Sequence, residues 1–592
     1  MRYYLTNGGS LQKSAYRKEL FFLVILMIFA GRQLFAQVTP RTSEKEDAGY
    51  FTESLYLKTD RDIYVSGEQA WFKIYKLNGS TNKPCDLSKV VYIELLNQSN
   101  NPVSQLKICT DGTSGSSYFT IPGNLATGNY LIRAYTNWMK NFTGERFCYG
   151  VISVINPFRL PDIPKLSSGF QSDKSGEANQ NEGRIKYIIS IDKPVFGSRE
   201  KVSLKISAED ESGKGVVSDL TVSVARSAMF NRISYSPVKP SGSSVGNGAG
   251  GIRFLPELEG QIISGVIKSK SSGGPMKSTD ISLSFVGKSA RCYFTRSDSS
   301  GGFKFVIKEP GLREMVIQPL SPDAGSYFVE LDQSYSGSIN NFQTPSFDID
   351  SNRLKEINDA IISMQVHNVY QPFLQEAKPQ VTKVYPDFFG KAENTIRMAD
   401  YIELTTVREV VKEIIPDVYT LRQNGKFDFK LINKFRGEPF ENKPLILVDG
   451  VPAYDFEKVL NINSREIEKA DVINKRYFYS DFIFDGIVSF ITKTGKMNAM
   501  EFDNSIFRQA WDGCREKDDF YSPSYNSSDI KEKRAADFRN TLYWNPSPAV
   551  SADGLTNLEF FTSDEPAEYK IVVEGVMADG RRGYSTATFS VK

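Results

Sequence analysis

The 592-residue chain contains a single histidine, His367, so few catalytic chemistries can be built from it. A Ser-His-Asp or Cys-His site would have to use His367, and a polyhistidine zinc site cannot form. His367 lies just past an apolar helical stripe with no serine or cysteine motif pointing to it, and reads as a satisfied or surface residue. Asp348, Asp350 and Asn352 have the first spacings of a calcium loop. Arg353 stands where that loop needs glycine and Asp359 where it needs a bidentate glutamate, so helix capping by Asp350 or Ser351 is the better reading. Asp60/Asp62 and Asp471/Asp481/Asp485 could supply paired carboxylates for acid/base chemistry, but they sit in turn-forming stretches. No catalytic, cofactor-binding or metal-ligating residue is assigned, and no cofactor is implied.

Cys85, Cys109, Cys148, Cys292 and Cys514 are widely spaced and form no CxxC pair, and their odd number leaves at least one thiol unpaired. Cys85, Cys109 and Cys148 share one expected β module; one disulfide among them, or buried free thiols, fits equally. Lys531-Glu-Lys-Arg534 is mixed in sign and reads as a solvated face.

The elements that must carry these residues are mostly strands. The length implies roughly three to five modules. A hydrophobic fraction of 40% with 40 Phe and 29 Tyr is ample for packed cores. The net charge of +2 gives no pull toward nucleic acid. The apolar run Phe21 to Ala30, preceded by Lys13, Arg17 and Lys18 and followed by Ala36, has the length of a secretion-signal core, so residues 1–36 read as an export signal. No later run reaches the length of a membrane span, so the mature chain has no spanning segment of its own.

Residues 50–156 read as short alternating strands separated by turn signals such as Val65-Ser-Gly67 and Asp111-Gly112, the pattern of an antiparallel sandwich. A linker at 157–183 precedes a partial second sandwich at 184–235, whose start repeats the strand–turn–strand order of the first. A Gly/Ser/Pro-rich loop covers 236–256, and a third β module 257–345. Leu354, Ile357, Ile361, Met364 and Val366 fall mostly at steps of three and four, predicting a helix from Asn352 to Val369 within 350–370. Residues 396–500 mix short helices and strands, and 540–592 return to strands. The fold class is mainly β: tandem antiparallel Ig-like or macroglobulin-like sandwiches with one small α+β domain.

Three stretches carry family resemblances. Tyr56-Leu-Lys-Thr-Asp60-Arg61-Asp-Ile-Tyr64-Val-Ser-Gly67-Glu-Gln-Ala-Trp71-Phe72, with Gly128-Asn-Tyr130-Leu-Ile-Arg133-Ala-Tyr135-Thr-Asn137-Trp138, resembles the macroglobulin-type N-terminal domain of the alpha-macroglobulin family, in versions exported by Bacteroidota. Gly67 permits the turn, and Trp71, Tyr130 and Tyr135 are expected to fill the core. Thr541-Leu-Tyr-Trp544-Asn545-Pro546 through Gly583 is similar to the segment that precedes that family's thioester region. The thioester loop Gly-Cys-Gly-Glu-Gln has only a poor counterpart in Gly513-Cys514-Arg515-Glu516-Lys517, so covalent capture is not expected. Leu258 to Ile317, with Gly260, Gly265, Pro275, Asp298 and Gly301-Gly-Phe303, is similar to the carboxypeptidase-regulatory-like β domain, generally non-catalytic. Residues 444–495, with Val448-Asp449-Gly450-Val-Pro452, Asn463 to Val472 and Gly486 to Gly495, resemble the plug domain of TonB-dependent receptors. Fewer than a hundred residues follow Gly495, too few for a receptor barrel. Bottom-up, Asp449-Gly450 is a tight hairpin turn and Asn463 a helix cap.

These resemblances imply an exported, non-enzymatic envelope protein of the periplasm or outer membrane that binds an outer-membrane or periplasmic protein and associates with TonB-dependent transport. The alternative is a macroglobulin-like protease-interacting protein, with an exposed cleavable loop near 236–251.

Overall fold

Alternation of apolar and polar residues dominates the chain, and strands are what the computed structural model shows. It describes residues 51–142, 146–159, 185–230, 252–320, 326–337, 347, 354–374, 385–423, 425–501, 506–526 and 535–592. The expected export signal at 1–36, the expected loop at 236–251, the expected caps Asp350 and Ser351 and the charge run at 531–534 lie outside the described residues.

The first sandwich packs a three-stranded sheet, with Gln69–Asn78 between Glu53–Thr59 and Ser114–Thr120, against a five-stranded one. The latter runs in the order Ile63–Val65, Cys148–Ile155, Gly128–Tyr135, Val90–Leu96, Pro102–Cys109, antiparallel except for its first pair. Phe72, Ile74, Tyr92, Tyr130 and Tyr135 fill the core. Trp71 is not among them. Side chains alternate along a strand, so Phe72 inside puts Trp71 on the opposite face, where it packs against Tyr118 and edge-on against Phe520 of a later segment. Gly67 has φ +95°, a value the turn reaches without strain only at glycine.

The stretches at 184–235 and 540–592 are halves of a single sandwich. Lys201–Glu209 lies between Lys186–Ile191 and Leu555–Phe561. The facing sheet runs Val195–Phe196, Arg582–Val591, Ala567–Val576, Asp219–Arg226, Thr541–Asn545. Either half alone leaves an apolar face bare; together they bury Val202, Leu204, Ile206, Val222, Ile571, Val573 and Phe589. Everything between residues 230 and 535 is therefore inserted into this sandwich.

The third sandwich also borrows a distant strand. Its three-stranded sheet is Gly302–Ile307, Gln261–Ser269, Tyr327–Leu331. Its four-stranded sheet is Arg291–Arg296, Asp280–Phe285, Leu312–Pro319 and, from beyond the α+β unit, Phe507–Asp512.

The α+β unit has a five-stranded mixed sheet ordered Asn394–Arg397, Ile467–Ile473, Ile487–Thr492, Leu445–Val448, Val451–Pro452, with Leu445–Val448 parallel to Ile487–Thr492. Thr406 caps the helix Val407–Glu413 and Asp455 caps Phe456–Leu460, each accepting a backbone N–H three residues on. Asp449 and Gly450 form the two-residue turn, both with positive φ (46° and 80°), between strands paired Val448 to Val451. Asn463 caps a single 3-10 turn, Ser464–Glu466.

The long helix spans Leu354–Leu374, past the Val369 end read from the pattern. Ile357 and Ala360 are buried and Ile361 and Met364 partly so, against Ile63, Val65, Ile155 and Met229. Leu354 is exposed, so the apolar stripe begins at Ile357.

Candidate functional site

The residues singled out in the first motif meet in a buried joint. Asp60, in the turn after Glu53–Thr59, is fully buried. Its Oδ1 accepts from Tyr64 Oη at 2.7 Å and from the Trp71 N–H at 3.0 Å, and its Oδ2 from Thr541 Oγ1 at 2.7 Å. Burial raises its pKa, against the pull of neighbouring Arg61. Arg61 pairs with Glu68 at 2.9 Å and lies 4.6 Å from the centre of the Tyr64 ring. Glu68 in turn accepts from Asn540 Nδ2 at 2.7 Å, and Asn540 also donates to the Ala360 carbonyl at 3.0 Å. The motif thus ties the first sandwich, the second sandwich and the long helix together. His367 faces the same joint: burial lowers its pKa, with Arg539 adding to the effect, Asp537 and Glu68 opposing it, and Arg61 adding again. Its Nδ1 has no hydrogen-bond partner among the described residues.

Asp471 accepts from Thr395 Oγ1 at 2.6 Å and pairs with Lys469 at 2.5 Å. Asp485 accepts from Arg476 Nε at 2.7 Å and Asn442 Nδ2 at 2.9 Å, and Asp481 sits in the turn between Tyr477–Tyr479 and Phe482–Phe484. The structure therefore gives Asp471 and Asp485 separate hydrogen-bond partners. Asp348 and Asp350 lie outside the described residues, and no group of three or more His, Cys, Asp or Glu among the described residues could hold a metal ion. Asp449 is a hub the sequence marked only as a turn. Its buried carboxylate accepts the Thr492 and Met497 N–H groups (2.7 and 2.8 Å) and the Thr492 hydroxyl (2.7 Å), pinning the Thr492–Gly495 stretch.

The disulfide joins Cys109 to Cys514, not two cysteines of the first sandwich; Cys85, Cys148 and Cys292 are free. The segment after Phe507–Asp512 runs beside the edge strand Pro102–Cys109, with Arg515 N–H to the Lys107 carbonyl at 2.7 Å and Cys109 N–H to the Arg515 carbonyl at 2.8 Å. That pairing brings the two Cα atoms to 5.1 Å. The Cys514 sulfur is thereby committed to a disulfide.

Three strongly perturbed ionisable groups occupy a second joint, between the first and third sandwiches. Glu257 accepts from Tyr92 Oη at 2.9 Å and the Ile262 N–H at 2.8 Å. Burial pushes its carboxyl up to about 7, opposed by those two bonds and by Lys140 and Lys107. Burial draws Lys107 and Lys140 down to about 8. Lys107 stacks 4.8 Å from the Trp511 ring centre and Lys140 4.5 Å from that of Phe254.

Of two cavities on the described surface, neither is lined by Glu257, Lys107 or Lys140. One, about 210 Å³, lies over the Cys109–Cys514 disulfide. The other, about 300 Å³, lies between Arg291–Arg296 and Gly302–Ile307, roofed by Tyr479 of the aromatic hairpin. That hairpin presses Tyr479, Phe482 and Phe484 onto Phe294, and turns Phe478 and Ile483 outward. No sequence motif marked this groove, because it is formed by sheet edges and not by a contiguous run of residues.

No family model matches the chain, and no curated protein matches it. Among solved structures, the native conformation of Escherichia coli alpha-2-macroglobulin is similar at 8% identity over 92% of this chain and 40% of that one, with a TM-score of 0.23. The same protein activated by porcine elastase gives 8% identity, 91% and 44% coverage and a TM-score of 0.23. Yersinia pseudotuberculosis adhesin InvE gives 10% identity, 48% and 60% coverage and a TM-score of 0.13. The chain spans about 40% of the length of the macroglobulin structures it matches. The mainly β assignment rests on the chain's own antiparallel sheets.

Proposed function

We propose that the protein is an exported, non-enzymatic binding and scaffold protein of the cell envelope, in the periplasm or at the outer membrane, associated with TonB-dependent transport machinery. The observation that carries this reading is the use of its charged motif residues. Asp60, Arg61 and Glu68 are engaged where β units meet, and Asp449, Asp471 and Asp485 in bonds inside the α+β unit, while among the described residues sheet edges and an aromatic hairpin remain open to solvent. A chain so arranged works through surfaces that meet other molecules. The regulatory-like and plug-like resemblances of 257–345 and 396–500 support an outer-membrane partner by analogy. No helix among the described residues is long and apolar enough to cross a membrane, so association through a protein partner fits this reading.

The second reading, a protease-interacting protein, is favoured only by the macroglobulin resemblance. With Cys514 in a disulfide it would have to act without a thioester.

The test is affinity capture from solubilised envelope of the producing cell, with an unrelated tandem β-sandwich protein as control and quantitative identification of what is retained. Reproducible enrichment of outer-membrane transport proteins is the expected result. Retention no greater than by the control would refute the reading, and protease enrichment with cleavage of the 236–251 loop would transfer it to the second.

A further inference from the structure

Among the described residues, the third sandwich is open along one side. Gly302–Ile307 is an edge strand of one sheet and Arg291–Arg296 an edge strand of the other, and the 300 Å³ cavity lies between them. The Ile267 N–H donates to the Gly301 carbonyl at 2.9 Å, which fixes the phase of the ladder between these strands. Hydrogen-bonded pairs alternate in an antiparallel ladder, so Phe303, Phe305 and Ile307 bond inward and the backbone groups of Lys304 and Val306 point off the free edge. Gly302, the remaining outward position, is already occupied: its N–H and carbonyl pair with Asp298 at 2.8 and 2.9 Å. Val306 is 44% exposed, an apolar β-branched residue on an unprotected edge.

Lysines outnumber carboxylates in the lining of this cavity: Glu259 lines it with Lys304 and Lys308, and Lys304 acts through space on the Asp298 carboxylate. Lys304 and Lys308 flank Val306 on its outward face, and Lys308 is held by Glu259 at 2.8 Å. Lys304 makes no ion pair among the described residues, leaving an ammonium beside an aromatic pocket of Tyr293, Phe294 and Tyr479.

We infer that this edge binds an extended peptide segment of a partner protein by strand addition. The segment pairs with the backbone of Lys304 and Val306, places one apolar side chain in the aromatic pocket and sets a carboxylate against Lys304. The inference rests on the binding reading above and names its partner chemistry. Main-chain pairing gives affinity in such additions and alternate side chains give selectivity. The cavity is large enough for one side chain and too small for a globular surface.

The test uses the full chain and fluorescence anisotropy of a labelled synthetic peptide of alternating Val and Thr bearing one Asp. Comparators are the same peptide with Lys for Asp, and with its alternate backbone amides N-methylated. Saturable binding of the acidic peptide is expected, weakened at least tenfold by the Lys peptide, by N-methylation on one amide phase only, by Lys304→Glu and by Val306→Pro, and changed less than twofold by Val306→Thr. Val306→Pro removes an outward N–H and leaves the ladder to Gln261–Ser269 intact. The N-methylated peptide reads the same bond without altering the protein, so a poorly folded variant does not blunt the test. Absence of saturable binding, indifference to peptide charge, or equal effects of both methylation phases would overturn the inference, as would sedimentation showing the edge occupied by a second copy. If envelope capture succeeds with Lys304→Glu and Val306→Pro as it does with the parent chain, the groove assignment fails while the scaffold function stands.

Discussion

Cys109 and Cys514 are 405 residues apart in sequence and covalently joined in the structure, with their Cα atoms 5.1 Å apart. The bond clasps the segment leaving the third sandwich to the edge of the first, and so closes a loop containing most of the chain. Phe520 carries that segment on to cover Trp71, and Ser522 donates to the Leu542 carbonyl of the second sandwich at 3.1 Å.

Cys514→Ser is therefore expected to destabilise the assembly by about 2–5 kcal/mol, the usual range for loss of a native disulfide. Limited proteolysis should show new cleavage within 506–526, with the inserted α+β core unaffected. An unchanged melting temperature and cleavage pattern would count against the clasp.

The joint at Asp60 should be intolerant of single replacements. Arg61→Ala leaves the fully buried Asp60 and the partly buried Glu68 without their cation, and breaking such a buried pair typically costs about 3–5 kcal/mol. Thr541→Val removes one hydrogen bond to Asp60 from the second sandwich and should cost about 1–3 kcal/mol. Urea unfolding followed by tryptophan fluorescence measures both, since Trp71 and Trp544 lie beside the joint; equal midpoints for the parent and Arg61→Ala would refute its role.

Glu257 predicts a pH dependence with a definite sign. Its carboxyl is held at about 7 in the folded chain against an ordinary value of 4.5. The protonated form is the one the fold prefers, so its contribution is full below pH 4.5 and is lost as pH rises toward 7, by roughly 3 kcal/mol at most. Lys107 and Lys140, drawn down to about 8, act in the opposite direction: stability recovers as pH rises above that value. Glu257→Gln, which keeps an acceptor for Tyr92 and Ile262, should flatten the fall between pH 4.5 and 7. Thermal melts at pH 5 and 7 decide it, and a parent-like slope in the variant would exclude Glu257 as the source.

The second sandwich should fail as a unit when either half is missing. Ending the chain at residue 534 removes the partners of Lys201–Glu209 and Asp219–Arg226, exposing Val202, Leu204, Ile206 and Val222. Amide exchange in 186–226 should then approach that of an unfolded segment, while the hairpin strands of 445–492 keep their protection. Persistent protection in 186–226 would show that the first half folds alone.

Local chemistry was readable residue by residue. The tight turn at Asp449-Gly450 follows from the two residue types that tolerate positive φ, the helix from its apolar spacing, and the mainly β class from alternation and turn residues. The scarcity of histidine and the mixed turn settings of the acidic residues also argued from sequence against a catalytic constellation. Alternation was enough to place Phe72 and Trp71 on opposite faces, but not to say which face had the core, because a segment 450 residues later could cover either. Pairing partners were likewise hidden: Cys514, Phe507–Asp512 and Thr541–Asn545 join units far from them in the chain. Strand pairing is set by backbone hydrogen bonds that carry no residue code, and burial by which apolar faces find each other. Periodicity and turn chemistry therefore belonged to the sequence, while the joints, the disulfide and the open edge at Val306 were decided by the packing of distant strands.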